Sequence, residues 1–229
     1  MSLFTIADLH LSLGEDKPMD IFKGWDNYIG RLTDNWNKLI TDDDTVVIAG
    51  DISWAMKLGE TYKDFEYINA LPGKKILLKG NHDYWWDTYS KINRTLDEFG
   101  FDTIKILFNN CYEADDYVIC GTRGWILDSE TDEDIQILKR ECGRLRMSLD
   151  SAKDSDKESV VFLHYPPIYG NTVCSEIIDI LTEYNVKKCY YGHIHGRNMI
   201  NGAFNGEYNG IQFKLISCDA VSFTPVLVR

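Results

Sequence analysis

Short apolar runs alternate with amphipathic segments along most of this chain. The stretch from Trp25 to Ile40 places its apolar residues at helical spacing, which predicts a helix with one face packed on a sheet. The same spacing predicts two further helices at 57–70 and 84–99. The apolar runs predict strands at 3–7, 45–49, 75–79, 104–108, 117–121, 159–163, 188–191, 211–217 and 224–228.

The order of these elements predicts an α/β fold. Strands and helices alternate in the first hundred residues, which is typical of parallel strands joined by crossover helices. The final third has short strands separated by Asn-Gly pairs such as Asn209-Gly210, so we expect antiparallel pairing there. Two mixed sheets that pack together, with helices on the outside, would accommodate both halves.

The length of 229 residues, with 44% hydrophobic positions, suits one large α/β domain, and we predict a single domain over 1–229. The segment 124–158 is the least regular part of it. A helix marked by Ile135, Leu138 and Leu145 lies there between flanks rich in Asp, Ser and Lys. We interpret this segment as a lid-like insertion.

The net charge of −12 limits the partners that we expect. Long-range repulsion disfavours nucleic acid and anionic membranes, whereas a small phosphoester substrate stays open. No apolar run reaches the length of a membrane span, and no signal-peptide pattern begins the chain. Six cysteines without CxxC spacing are typical of thiols in a reducing compartment, so we expect a cytoplasmic protein. Protein partners and the oligomeric state stay open.

All five histidines follow apolar, strand-like runs, in short motifs that also contain Asp, Asn and Gly. A further motif, Gly50-Asp51, also follows an apolar run but has no histidine. The full set is Asp8-Leu9-His10, Gly50-Asp51, Gly80-Asn81-His82-Asp83, His164 and Gly192-His193-Ile194-His195. Alternate residues of an extended chain point the same way, so Asp8 pairs with His10 and His193 with His195. Because ligands gather at the carboxyl ends of strands in open α/β sheets, these motifs predict one shared site.

The motifs supply more candidate metal ligands than one ion can use. The candidates are Asp8, His10, Asp51, Asn81, His164, His193 and His195. Imidazole with carboxylate and amide oxygen suits divalent transition metals, of which we favour Mn²⁺ and leave Fe, Zn²⁺, Co²⁺ and Ni²⁺ open. Two ions that share one carboxylate would activate a bridging water and hold phosphoryl oxygens for an in-line displacement.

The full ordered set of motifs, from Asp8 to His195, resembles the calcineurin-like metallophosphoesterase superfamily. The resemblance implies a four-layer α/β/β/α sandwich and a dinuclear enzyme that hydrolyses a phosphomonoester or phosphodiester, with a metal-bridging hydroxide as nucleophile. It implies that Asp51 bridges the two ions and that His82 is the catalytic histidine beside the phosphate. By the same resemblance, the first ion takes Asp8, His10 and His195, and the second takes Asn81, His164 and His193.

Several alternatives stay open beside this interpretation. A catalytically silent metal-binding scaffold would keep the ligands, and a nuclease-type phosphodiesterase would fit the motifs but not the charge. The candidate substrate-binding residues are Asn81, His82 and Arg197. The alternative for Arg197 is an ordinary surface arginine without contact to substrate, which is the commoner case. Trp54 stands where many relatives carry the aspartate that orients the catalytic histidine. Asp83 is a candidate substitute for that aspartate, or else a helix N-cap.

Overall fold

Two β-sheets pack face to face, and helices cover their outer sides. The structure is a computed structural model that describes residues 1–125 and 131–229. The first sheet has the order β13-β1-β2-β3-β4 and consists of β1 (Leu3–Ile6), β2 (Thr45–Ala49), β3 (Lys74–Leu78), β4 (Ile104–Ile106) and β13 (Val226–Leu227). Strands β1 to β4 are parallel, and β13 pairs with β1 in antiparallel orientation. The predicted parallel start is therefore confirmed.

The second sheet is also mixed, with the order β11-β12-β10-β7-β6-β5. It consists of β5 (Tyr112–Ala114), β6 (Tyr117–Thr122), β7 (Glu158–Leu163), β10 (Lys188–Tyr191), β11 (Gly206–Tyr208) and β12 (Ile211–Leu215). The expected antiparallel pairing is found for β11 with β12, across the turn at Asn209-Gly210. For β10 it is wrong, because β10 runs parallel to both β7 and β12.

A crossover helix explains this parallel pairing of β10. Helix α5 (Ser175–Glu183) connects β7 to β10, after a small hairpin of β8 (Ile168–Tyr169) and β9 (Thr172–Val173). Such a helix returns the chain to the end of the sheet at which β7 begins, so that β10 can run parallel to β7. The apolar face of α5 covers the sheet with Ile177, Ile178 and Leu181.

Alternation along the strands builds three apolar layers. In β2, Val46 and Ile48 join the core under α1 (Tyr28–Leu39), α2 (Tyr62–Ala70) and α3 (Tyr89–Phe99). Val47, between them in sequence, points to the opposite face and packs between the two sheets. In β7, Val161 belongs to the third layer, under α4 (Asp132–Asp150) and α5. The layers confirm the expected α/β/β/α sandwich.

Helix α4 occupies most of the segment interpreted as an insertion. The Thr131 side chain accepts the backbone N–H of Asp134 and caps its first turn. Leu138, Leu145 and Leu149 are buried in the core of the second sheet. Residues 126–130 of the predicted insertion lie outside the described residues, and its lid-like role stays a prediction. Within the described ranges, no helix has both the length and the apolar character needed to cross a membrane.

Candidate metal centre

The candidate ligands lie together at the carboxyl ends of neighbouring strands from both sheets. They are Asp8 and His10 after β1, Asp51 after β2, Asn81 after β3, His164 after β7, and His193 and His195 after β10. The backbone N–H of His193 donates to the carboxylate of Asp8 at 2.9 Å, which joins the two sheets at this edge. The site is therefore built where the sheets meet.

Four donor side chains form a first cluster: Asp8, His10, Asp51 and His195. Their ligand atoms lie within 4.8 Å of one another. Nε2 of His10 is 3.1 Å from Nε2 of His195, and the latter is 3.4 Å from Oδ1 of Asp8. At this distance the lone pairs of two unprotonated ring nitrogens repel each other, unless the nitrogens share a proton or a cation. Buried carboxylates next to them make a divalent cation a good fit.

A second cluster shares Asp51 and adds His164 and His193. The side-chain oxygen of Asn81 lies 2.7 Å from Nε2 of His164 and 2.9 Å from Nδ1 of His193. On its other side, the His164 ring places Nδ1 3.1 Å from the carbonyl oxygen of Ala49. A proton on Nδ1 would donate to that carbonyl and leave the lone pair of Nε2 free for a metal.

The backbone of several candidate ligands is in the left-handed region. The φ angles are 63° for Asp8, 45° for His10, 50° for Asp51 and 73° for His193. Each such residue costs about 1–3 kcal/mol, and residues of this kind cluster at ligand sites, where the surrounding structure over-determines them. The strain supports a functional role for these residues, since local folding alone would favour extended or helical angles.

Two glycines allow the ligand-bearing loops to approach closely. A Cβ atom on Gly80 would lie 2.1 Å from both the backbone nitrogen and Oδ1 of Asp51. A Cβ atom on Gly50, whose φ is 91°, would lie 2.5 Å from Nδ1 of His164. Any side chain at either position would therefore separate the ligands.

The site contains two buried carboxylates, Asp8 and Asp51, whose negative charge favours the binding of cations. Burial raises the pKa of Asp51 to about 8, and the nearby carboxylate of Asp8 adds to this shift. Burial also favours neutral Asp8, but His195, His164 and His10 together outweigh it and hold the pKa of Asp8 below its usual range. Burial lowers the pKa of His193 to about 3. Divalent cations would allow both carboxylates to stay ionised, and they would use the neutral imidazole as a ligand.

Asp219 is a site residue that the sequence analysis missed. Its Oδ1 lies 3.4 Å from Nδ1 of His195, and its Oδ2 accepts the backbone N–H of Gly196 at 2.7 Å. Burial would lower the pKa of His195, but the carboxylates of Asp8 and Asp219 raise it to about 10. Asp219 thereby turns Nε2 of His195 towards the first cluster. It follows β12 by four residues, so the strand-end rule that found the other residues could have found it.

His82 lies beside the clusters and faces an aromatic side chain. Its backbone N–H donates to Oδ1 of Asp51 at 2.7 Å. Its ring atom Nδ1 is buried and has no hydrogen-bond partner among the described residues. The Trp54 ring lies 4.7 Å from the His82 ring and stacks on His10 at 5.0 Å. Trp54 therefore contacts a candidate ligand and the candidate catalytic histidine at once.

Asp83 holds the two ligand-bearing loops of the first sheet together. Its buried carboxylate accepts the backbone N–H groups of Ile52 at 2.8 Å and Gly80 at 2.7 Å, and the indole N–H of Trp85 at 3.0 Å. The N-cap alternative for Asp83 is wrong, because α3 begins at Tyr89 and Thr88 holds the N-cap position. Asp83 thus fixes the backbone of the loop that carries His82 and bonds it to the loop after β2.

An open cleft of about 930 Å³ lies next to the two clusters. His10, His82 and His195 line its inner part. Arg197, the first residue of α6 (Arg197–Ile200), is exposed and lines the same cleft. The structure thus places Arg197 near the site, on the wall of the cleft and outside the ligand clusters.

A family model for calcineurin-like phosphoesterases matches residues 1–197, which include every candidate ligand. The chain belongs to the calcineurin-like phosphoesterase family. The resemblance drawn from the motifs is confirmed, and the protein is a hydrolase of phosphoester bonds. The comparison with curated proteins found no match.

Solved structures share the fold of this calcineurin-like phosphoesterase over nearly its whole length. A protein of unknown function from Aquifex aeolicus is 20% identical, with a TM-score of 0.56, and the match covers 99% of this chain and 95% of that one. The phosphopantetheinyl hydrolase of Mycobacterium tuberculosis is 17% identical, with a TM-score of 0.56, over 94% and 88% of the two chains. A Thermus thermophilus protein is 8% identical, with a TM-score of 0.61, over 99% and 97%. At these identities the likeness concerns the fold.

Proposed function

We propose that the protein is a dinuclear metal-dependent phosphoesterase that hydrolyses a small phosphomonoester or phosphodiester. The observation that carries this proposal is the convergence of two donor clusters on the shared carboxylate of Asp51. The first ion would be held by Asp8, His10, Asp51 and His195, and the second by Asp51, Asn81, His164 and His193. This mixture of donors suits Mn²⁺ first, and also Fe, Zn²⁺, Co²⁺ or Ni²⁺.

The side chains around the clusters would position the substrate and move its protons. Bound ions would lower the pKa of a shared water and stabilise charge on the phosphoryl oxygens. His82 lies between the clusters and the open cleft, so its ring can donate a proton or a hydrogen bond to the leaving oxygen. Asn81 would touch the phosphoryl group from the second cluster, and Arg197 would contact the substrate from the wall of the cleft.

Two further features support a small substrate inside the cell. The net charge of −12 disfavours a nucleic-acid substrate, because binding to a polyanion depends on many lysines and arginines. All six cysteines are free thiols, and Cys120, Cys174, Cys189 and Cys218 are buried. Free thiols persist in reducing compartments, so we propose a cytoplasmic location.

Turnover and metal content measured together test the proposal. The protein supplied with Mn²⁺ should hydrolyse p-nitrophenyl phosphate or its bis ester, and elemental analysis should find two ions per chain. His82→Ala should lose most turnover and keep both ions, whereas Asp51→Asn should lose ions from both sites. Asp97→Asn, at an exposed position of α3, is the matched control for Asp51 and should change neither quantity. Metal binding without turnover of any ester would instead support the silent scaffold.

A further inference from the structure

The cleft beside the candidate metal centre is much larger than a phosphate group. Its volume of about 930 Å³ falls within the range of about 300–1,000 Å³ for pockets that enclose whole small molecules. The three histidines that line it occupy its inner part, and most of its other lining residues lie outside the two donor clusters. That remaining surface is available to the organic part of a substrate.

Two separate segments supply apolar walls to this cleft. The loop before α1 contributes Met19, Phe22 and Trp25, and α6 contributes Met199 and Ile200. Phe22 is 54% exposed and Met199 is 51% exposed. Large apolar side chains that line a concave surface gain free energy when a ligand removes them from water. A methionine also adapts its shape to the ligand, since its side chain is flexible and polarisable.

The charged residues of the cleft favour an anionic ligand. Lys23 follows Phe22, and Arg197 precedes Met199 by two residues, so each apolar wall carries a cation. Among the described residues that line the cleft, Asp219 carries the one carboxylate, and it already accepts the N–H of Gly196. In a chain with a net charge of −12, this local excess of positive charge would draw an anion to the cleft.

We propose that the cleft binds an extended, largely apolar organic group of an anionic phosphoester. The preferred substrates are then phosphoesters of long aryl-alkyl or comparably extended alcohols, and esters of short polar alcohols are poor ones. The phosphoester part of this inference rests on the proposed function. The apolar part rests on the walls formed by Phe22 and Met199.

Calorimetric titration of the Mn²⁺-loaded protein with two phosphonates tests the inference without turnover. Ethylphosphonate and phenylbutylphosphonate share the phosphoryl group and differ in apolar length. We expect Kd to be at least about tenfold lower for the longer ligand, because its chain and ring would be buried against the walls. Phe22→Ala and Met199→Ala should each reduce the ratio of the two Kd values several-fold. Met147→Ala removes a methionine of similar exposure, 53%, from α4 and should keep the ratio.

The possible results separate this inference from the proposed function. Equal Kd values for the two phosphonates, or a ratio that both cleft variants leave unchanged, would overturn the inference. Release of phosphate from ethyl phosphate and phenylbutyl phosphate is measured on the same samples. Turnover of both esters with equal kcat/KM also counts against the inference and leaves the proposed function standing. Length-dependent binding without turnover of either ester supports the cleft assignment and contradicts the proposed function.

Discussion

Replacing Asp83 should weaken the fold and the candidate metal centre together. The carboxylate is fully buried and accepts N–H groups from Ile52, Gly80 and Trp85. The backbone N–H of Ser53 also donates to it at 3.3 Å, so in Asp83→Ala four buried donors lose their acceptor. A buried donor without a partner costs about 1–3 kcal/mol, so we expect the free energy of unfolding to fall by at least about 4 kcal/mol. That is a large fraction of the stability of about 5–15 kcal/mol that is usual for a domain.

Urea unfolding measures this loss, and a conservative variant refines it. Asp83→Asn keeps one side-chain oxygen for the donors but turns an NH₂ group towards another N–H, so about half of the loss should remain. Both variants should also weaken Mn²⁺ binding by about 10–100-fold, although Asp83 ligates no ion, because the loops that carry Asp51 and Asn81 separate. Asp97→Ala, on the exposed side of α3, is the control. A loss below about 1 kcal/mol in Asp83→Ala would refute the reasoning.

Three further predictions concern the core, the aromatic contact and the ions. Lys75 is buried and donates to two backbone carbonyls after α2. Lys75→Met should therefore lower the free energy of unfolding by about 2–4 kcal/mol, as measured by urea unfolding. An unchanged urea midpoint would contradict this. Trp54→Ala should reduce kcat about tenfold, because the ring of His82 loses its contact with the Trp54 ring. Trp54→Phe should retain most of the kcat. Equal kcat in the parent protein and both variants would show that Trp54 does not position His82. Mn²⁺ at about a hundredfold excess over Kd should stabilise the fold by about 2.7 kcal/mol for each bound ion, seen as a higher Tm that EDTA reverses. The same shift in Asp51→Asn would argue against a shared ligand.

Local patterns predicted the central strands and the chemistry of their ends. The strands predicted at 45–49 and 75–79 are found at Thr45–Ala49 and Lys74–Leu78. They were predictable because a strand that is buried on both faces has an unbroken apolar sequence. Four residues that the motifs singled out have left-handed backbone angles just after strands: Asp8 and His10 after β1, Asp51 after β2 and His193 after β10. Elements with weaker signals were less predictable. Helix α3 begins at Tyr89 instead of residue 84, because the residues after Asp83 form hydrogen-bonded turns.

The sequence by itself determined which side chains end the strands, and hence the donor types and the family. Those properties depend on residues that are close along the chain. Tertiary structure decided the parallel pairing of β10, the support of His195 by Asp219, and the cleft walls formed by Phe22 and Met199. His10 and His195 are 185 residues apart, yet their ring nitrogens lie 3.1 Å from each other. Such contacts follow from how two sheets pack, and no local pattern of apolar and polar residues encodes that packing.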